Sequence, residues 1–92
     1  PTFALQAAYP NPTSDIASVP FEMATSGNVD FTLFNVVGQK VRAIRLGPTR
    51  PGHHTAELAL EGLSTGLYVY EMSVRSGRRT VFSDTGKFVV IR

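Results

Sequence analysis

The sequence predicts an all-β fold, an antiparallel sandwich of about seven strands. Three observations lead there. Apolar and polar residues alternate with period two over several stretches, as strands with one buried face require. Turn-forming clusters separate those stretches at short intervals. No apolar run lasts long enough to complete two helical turns, so nothing reads as a long amphipathic helix.

The elements follow in order. The chain opens on Phe3-Ala4-Leu5-Gln6-Ala7-Ala8, and residues 1–8 are expected to be the end of a linker from an upstream region, with one folding unit over 9–92. It begins at Pro1 rather than at methionine, which reads as a piece of something longer. Next comes "YPNP", Tyr9, Pro10, Asn11 and Pro12. Proline fixes its own φ and holds the preceding residue extended, so this is a stiff, non-helical start to the fold. In "IASVPFEM" the ring at Pro20 removes a ladder donor, which predicts an edge strand or a bend there. Val29, Phe31 and Leu33 alternate with Asp30 and Thr32 in the following strand. After the Val37-Gly38 turn, Val41 and Ile44 stand three apart in "VGQKVRAIRL", a spacing that strict alternation forbids, so a bulge is expected near Arg42-Ala43. Leu58 falls in a further alternating run, and Tyr68, Tyr70, Met72 and Val74 in another. The predicted core is Phe31, Leu33, Val41, Leu58, Tyr68, Tyr70 and Met72. The last stretch, "GKFVVIR", is apolar at four consecutive positions, Phe88 to Ile91, and is either buried on both faces or open to a partner.

Composition bounds the function. Ninety-two residues give one modest core, burying roughly 60–65% of the surface the unfolded chain exposes. The absence of cysteine removes disulfide scaffolds, zinc ribbons and thiol chemistry together. A formal charge of +2 is too small to argue for nucleic acid, although Arg75, Arg78, Arg79, Lys87 and Arg92 make the last fifth basic against Asp84. No run approaches a membrane span, and no direct membrane insertion is expected.

No constellation of side chains assembles a chemistry. His53 and His54 are adjacent in a strand and point to opposite faces, so they do not converge on a metal; no metal or other cofactor is expected. The carboxylates are scattered, and Glu57 and Glu71 suit outer strand faces better than an acid/base pair. No serine has a nucleophile's setting, and no glycine opens a helix as a phosphate cradle would require. Tyr68 and Tyr70 with nearby cations could be taken for a nucleic-acid stacking platform, but the alternation places them in the core. Leu63, Gly66 and Tyr68 in "LSTGLYVY" match the tyrosine corner of Ig-like sandwiches, where the hydroxyl bonds back to upstream backbone.

Five motifs in order, "YPNP", "LFNVVGQKV", "PGHHT", "LSTGLYVYEM" and "GKFVVIR", resemble the C-terminal sorting domain of type IX secretion cargo in Bacteroidetes. The resemblance runs from about Leu5 to Arg92. It implies an Ig-like sandwich that ends a cargo chain and directs the folded cargo from the periplasm through the outer-membrane translocon, after which a sortase-like cysteine protease removes it. It also implies that Asn35, Gly38 and Gln39 form the family's N-x-x-G-Q turn, Gly66 and Tyr68 its G-x-Y, and Lys87, Phe88, Val89, Val90, Ile91 and Arg92 the short basic-ended segment associated with recognition. The loop Glu61 to Thr65 is shorter than the family's usual insertion, and "RRTVFSDTG" is longer and more polar than the usual approach to the last strand.

The expected function is therefore a non-enzymatic secretion signal fused to an upstream cargo domain, in transit through the periplasm to the cell surface or medium. The terminal strand is expected to pair by its edge with a translocon component, with Lys87 and Arg92 orienting it. The alternative is an Ig-like accessory or carbohydrate-binding module of a secreted enzyme, which a row of exposed aromatics would mark; a small esterase or metal hydrolase has no assembled site.

Overall fold

The computed structural model describes residues 2–92, and in it strands form wherever the alternation runs. They are β1 (Ala4–Leu5), β2 (Ile16–Met23), β3 (Gly27–Phe34), β4 (Lys40–Thr49), β5 (Gly52–Ala59), β6 (Gly66–Ser76) and β7 (Arg79–Val90). They build two antiparallel sheets, ordered β1-β2-β5 and β4-β3-β6-β7, packed as a sandwich. Among the described residues no helix is long and apolar enough to cross a membrane.

Alternation decides what lies between the sheets. Ala17, Val19, Phe21 and Met23 of β2 and Ala56 and Leu58 of β5 face Val29, Phe31 and Leu33 of β3, Tyr68, Tyr70, Met72 and Val74 of β6, and Phe88 and Val90 of β7. Apolar burial on this scale is the main term holding the sheets together, at about 1.5–3 kcal/mol for each large side chain. Of the predicted core, Val41 alone is only half-buried.

The reason is the position of the bulge. Leu33 pairs with Arg42 and Phe34 with Lys40, so Val41 is the extra residue, and a second irregularity skips Leu46 between the Val29–Gly47 and Asp30–Arg45 pairs. The bulges thus flank Arg42-Ala43 instead of falling on it. Val41 and Ile44 stand three apart because Arg42 takes an inward position between them and carries its guanidinium to the end of the sandwich.

Pro20 also differs from expectation. Its strand β2 is the middle strand of its sheet, paired with β5 along its whole length. The ring is tolerated because β1 ends at Leu5, one residue before the level of Pro20. Gln6 still donates its N–H to the Pro20 carbonyl at 3.0 Å, but Pro20 has no N–H to return. The Gln6 carbonyl accepts instead from the Tyr70 hydroxyl, at 2.9 Å.

Candidate functional site

The terminal segment is built into the sandwich. Phe88 and Val90 point inward and are buried, with the Phe88 ring between Tyr68 and Tyr70 at centroid distances of 5.9 Å each. Lys87, Val89 and Ile91 fall on the other face, where Val89 is half-buried and Ile91 is 51% exposed. The apolar run is therefore an ordinary strand inside and a row of presented side chains outside.

The edge of this strand is covered at Val89 and Ile91. Asn11 accepts the Val89 N–H on its side-chain oxygen at 2.9 Å. Thr13 donates its backbone N–H to the Val89 carbonyl and accepts the Ile91 N–H, each at 2.9 Å, in a short parallel bridge. Thr13 is buried, and its hydroxyl donates to the Ile16 carbonyl at 2.7 Å, which holds the bend in place. Tyr9 bridges to Ser18 with its N–H and C=O both paired, and it stays exposed with Pro10 and Pro12. The "YPNP" stretch and Thr13 thus cover the end of β7 as a loop laid over a sheet edge does. Open edge pairing by the whole segment 87–92, as the sequence led us to expect, would first have to displace Asn11 and Thr13.

Arg92 is held as firmly. Its guanidinium donates to the Leu63 carbonyl through Nε and to the Leu60 carbonyl through Nη2, its backbone N–H donates to the Thr65 hydroxyl at 3.0 Å, and Asp15 lies 3.5 Å from Nη1. From β4, at the opposite edge of the same sheet, Arg42 donates to the Ala59 and Glu61 carbonyls at 2.8 Å each. Two arginines thus bond the carbonyls at 59, 60, 61 and 63, where β5 ends and the loop begins. A short loop suffices here because its backbone is bonded from both sides. Arg92 is accordingly a structural cap, its charge taken up by the fold, whereas Lys87 makes no ion pair among the described residues.

The remaining motif residues meet at the same end. The Tyr68 hydroxyl donates to the Ser64 carbonyl at 2.7 Å, closing the Leu60–Thr65 loop onto β6. At the β3–β4 turn, Asn35 accepts the N–H groups of Val37 and Gln39 on Oδ1, at 3.1 and 3.0 Å, and donates from Nδ2 to the Gln39 side-chain carbonyl at 2.9 Å. Gly38 donates its N–H to the Asn35 carbonyl at 3.0 Å, and its left-handed conformation, at φ 82°, turns the chain back so that the Gln39 carbonyl accepts the Asn35 N–H. This turn leaves Val36 and Val37 more than two-thirds exposed, beside a shallow hollow of about 390 Å³ lined by Phe34, Leu67, Val69 and Lys87.

A second tyrosine anchor lies beyond what the sequence reading assigned. Tyr70 crosses β7 at Gly86, where an added Cβ would lie 2.3 Å from the ring, and its hydroxyl accepts the Ala8 N–H at 3.1 Å while donating to Gln6. Burial raises the Tyr70 phenol above its ordinary value; the Ala8 bond lowers it and the charge of Asp84 adds to the rise. Residues 3–8, read from sequence as the end of a linker, contribute β1, the buried Ala8 and a Phe3 ring stacked on Phe82 at 5.3 Å. The signal was available in Gly86, a glycine inside a strand.

Elsewhere the chemistry is sparse. His54 stacks on Phe21 at 5.4 Å and bonds the Arg50 carbonyl, while His53 projects outward 3.9 Å from Glu22. Among the described residues no group of three or more His, Cys, Asp or Glu side chains could hold a metal.

Four of the five sequence motifs thus gather at one end of the sandwich, around a capped terminal strand, while Pro51–Thr55 opens β5 at the other end. The family model of the secretion system C-terminal sorting domain matches residues 7–90. The chain belongs to that family, the type IX sorting domain, which is not catalytic and marks cargo bound for the cell surface or the extracellular space. No curated protein matches the chain.

Proposed function

We propose that this domain is a sorting signal read as a folded surface by the type IX translocon, with the cargo's own activity upstream. In this reading the cargo passes through the periplasm and a sortase-like cysteine protease releases it after translocation. Residues 87–92 contribute through the outward side chains of Lys87, Val89 and Ile91, while Phe88, Val90 and Arg92 fix their placement. The observation that carries the reading is the convergence of "YPNP", "LSTGLY" and "KFVVIR" at one end through the bonds of Asn11, Thr13, Tyr68 and Arg92. A glycan-binding accessory module is less well supported: Tyr9 is exposed, but the other aromatic rings are buried or half-buried and form no exposed row.

The test is a periplasm-targeted reporter fused to this domain in a bacterium with a type IX system. Deleting residues 87–92 removes the burial of Phe88 and Val90, about 1.5–3 kcal/mol each, so that deletion confounds recognition with folding. Lys87→Gln does not. We expect the intact fusion at the surface or in the medium, and a reduced yield with an unchanged Tm for Lys87→Gln; an intact fusion that never leaves the periplasm contradicts the proposal.

A further inference from the structure

The outer face of the four-stranded sheet divides into two halves. In one, the charges are mutually satisfied: Asp30 lies 3.5 Å from both Arg45 and Arg75. In the other, a single cross-strand row reads Lys40, Phe34, Val69, Lys87, with one residue from each strand. The two lysines stand on the outermost strands, roughly 14 Å apart at the usual strand spacing. Neither makes an ion pair among the described residues, and Glu71, one row away, does not reach them. Between them lie half-buried Phe34 and Val69, with Leu67 and the exposed Val36 rimming the hollow of about 390 Å³.

We infer that this half-face docks a protein segment that inserts an apolar side chain into the hollow and brings a carboxylate to each lysine. The inference rests on the sorting-signal reading and specifies its partner's chemistry. Charge complementarity selects the occupant. A second copy of this face would set lysines against lysines about the docking axis, which like-charge repulsion opposes. A lipid surface would meet the ammonium groups but leave the concavity between the Asn35 turn and β6 unfilled, whereas a side chain fills it. Apolar centre and charged rim are the usual anatomy of a protein contact.

The experiment uses the same reporter fusion with Lys40→Glu and Lys87→Glu combined, and with Leu67→Asp alone. Arg78→Glu with Arg79→Glu at the far hairpin is the control, since it makes the same change in net charge at exposed positions. Each variant is first purified and its Tm measured, and only variants within a few degrees of the parent are compared, with Lys40→Gln plus Lys87→Gln as the milder pair. Surface delivery is expected to fall about tenfold for Lys→Glu, less for Lys→Gln, and clearly for Leu67→Asp, with the control at the parental level. Equal delivery by parent and Lys→Glu, or an equal fall in the control, overturns the inference while leaving the sorting role intact. Flotation of the parent, but not the Lys→Glu pair, with anionic phosphatidylglycerol vesicles assigns the face to lipid and likewise overturns it. Failure of the parent fusion to leave the periplasm removes the reading on which it rests.

Discussion

The two ends of the sandwich are held by different means. At the end bearing Asn35, the Leu60–Thr65 loop and Arg92, bonds join residues far apart in sequence: Asn11 to Val89 across 78 positions, Arg92 to Leu63 across 29, Arg42 to Glu61 across 19. At the other end, short turns at Gly27 and Gly47–Gly52 carry the chain from one sheet to the other, the β6–β7 hairpin closes at Gly77, and Arg78 and Arg79 are exposed and make no ion pair among the described residues. Apart from Pro51–Thr55, the motif residues of this chain cluster where backbone groups lack a ladder partner, because only specific side chains can supply one. Local turns need little more than a glycine.

If that contrast is right, the largest effect should come where backbone and ring are closest. Gly86→Ala should cost about 3 kcal/mol, since its Cβ would collide with the Tyr70 ring and displace the hydroxyl from Gln6 and Ala8. Urea denaturation at neutral pH measures it. Arg92→Gln should follow at about 2 kcal/mol, by losing charge-assisted bonds to the Leu60 and Leu63 carbonyls.

Tyr70→Phe should cost about 1–2 kcal/mol by leaving the Gln6 carbonyl and Ala8 N–H unpaired. It should also change the pH profile. Because the folded state holds the phenol's pKa above its ordinary value of 10.0, the protonated form is favoured in the fold. That stabilisation is fully present below the ordinary value and is lost as pH climbs through the raised one. The parent's stability should therefore decline more steeply than that of Tyr70→Phe on the alkaline side, a comparison that chemical denaturation over a pH series provides. The smallest effect belongs to the opposite end: Arg78→Ala should stay within about 0.5 kcal/mol of the parent. A loss there comparable to that of Arg92→Gln would erase the distinction between the ends.

Much of the fold was legible because alternation is a direct readout of a strand's two faces: Val29, Phe31 and Leu33, or Tyr68, Tyr70 and Met72, are inward for the reason their spacing states. Three features were not legible. Arg42 looked like part of a bulge because its inward position serves a distant loop, and no local pattern encodes a partner 17 residues away. Pro20 argued for an edge, yet β1 is so short that a central strand has an edge's freedom at that level. The segment 87–92 looked open because sequence shows its apolar run but not Asn11 and Thr13 lying against it. The N-x-x-G-Q turn lies between these cases: its contacts are local, and the part each residue plays follows from its donors and acceptors.

The terminal strand is an element of the fold that presents side chains and is clamped along its edge at Val89 and Ile91. Backbone amide exchange, followed residue by residue by NMR, tests this clamp most directly. The clamp predicts strong protection at Val89 and Ile91, approaching that of core amides such as Phe31, with Lys87 exchanging faster because none of the described residues covers its outward N–H. In Asn11→Ala, Val89 should lose protection while Phe31 keeps it. Rapid exchange at Val89 and Ile91 in the parent domain, with the core still protected, would contradict the account.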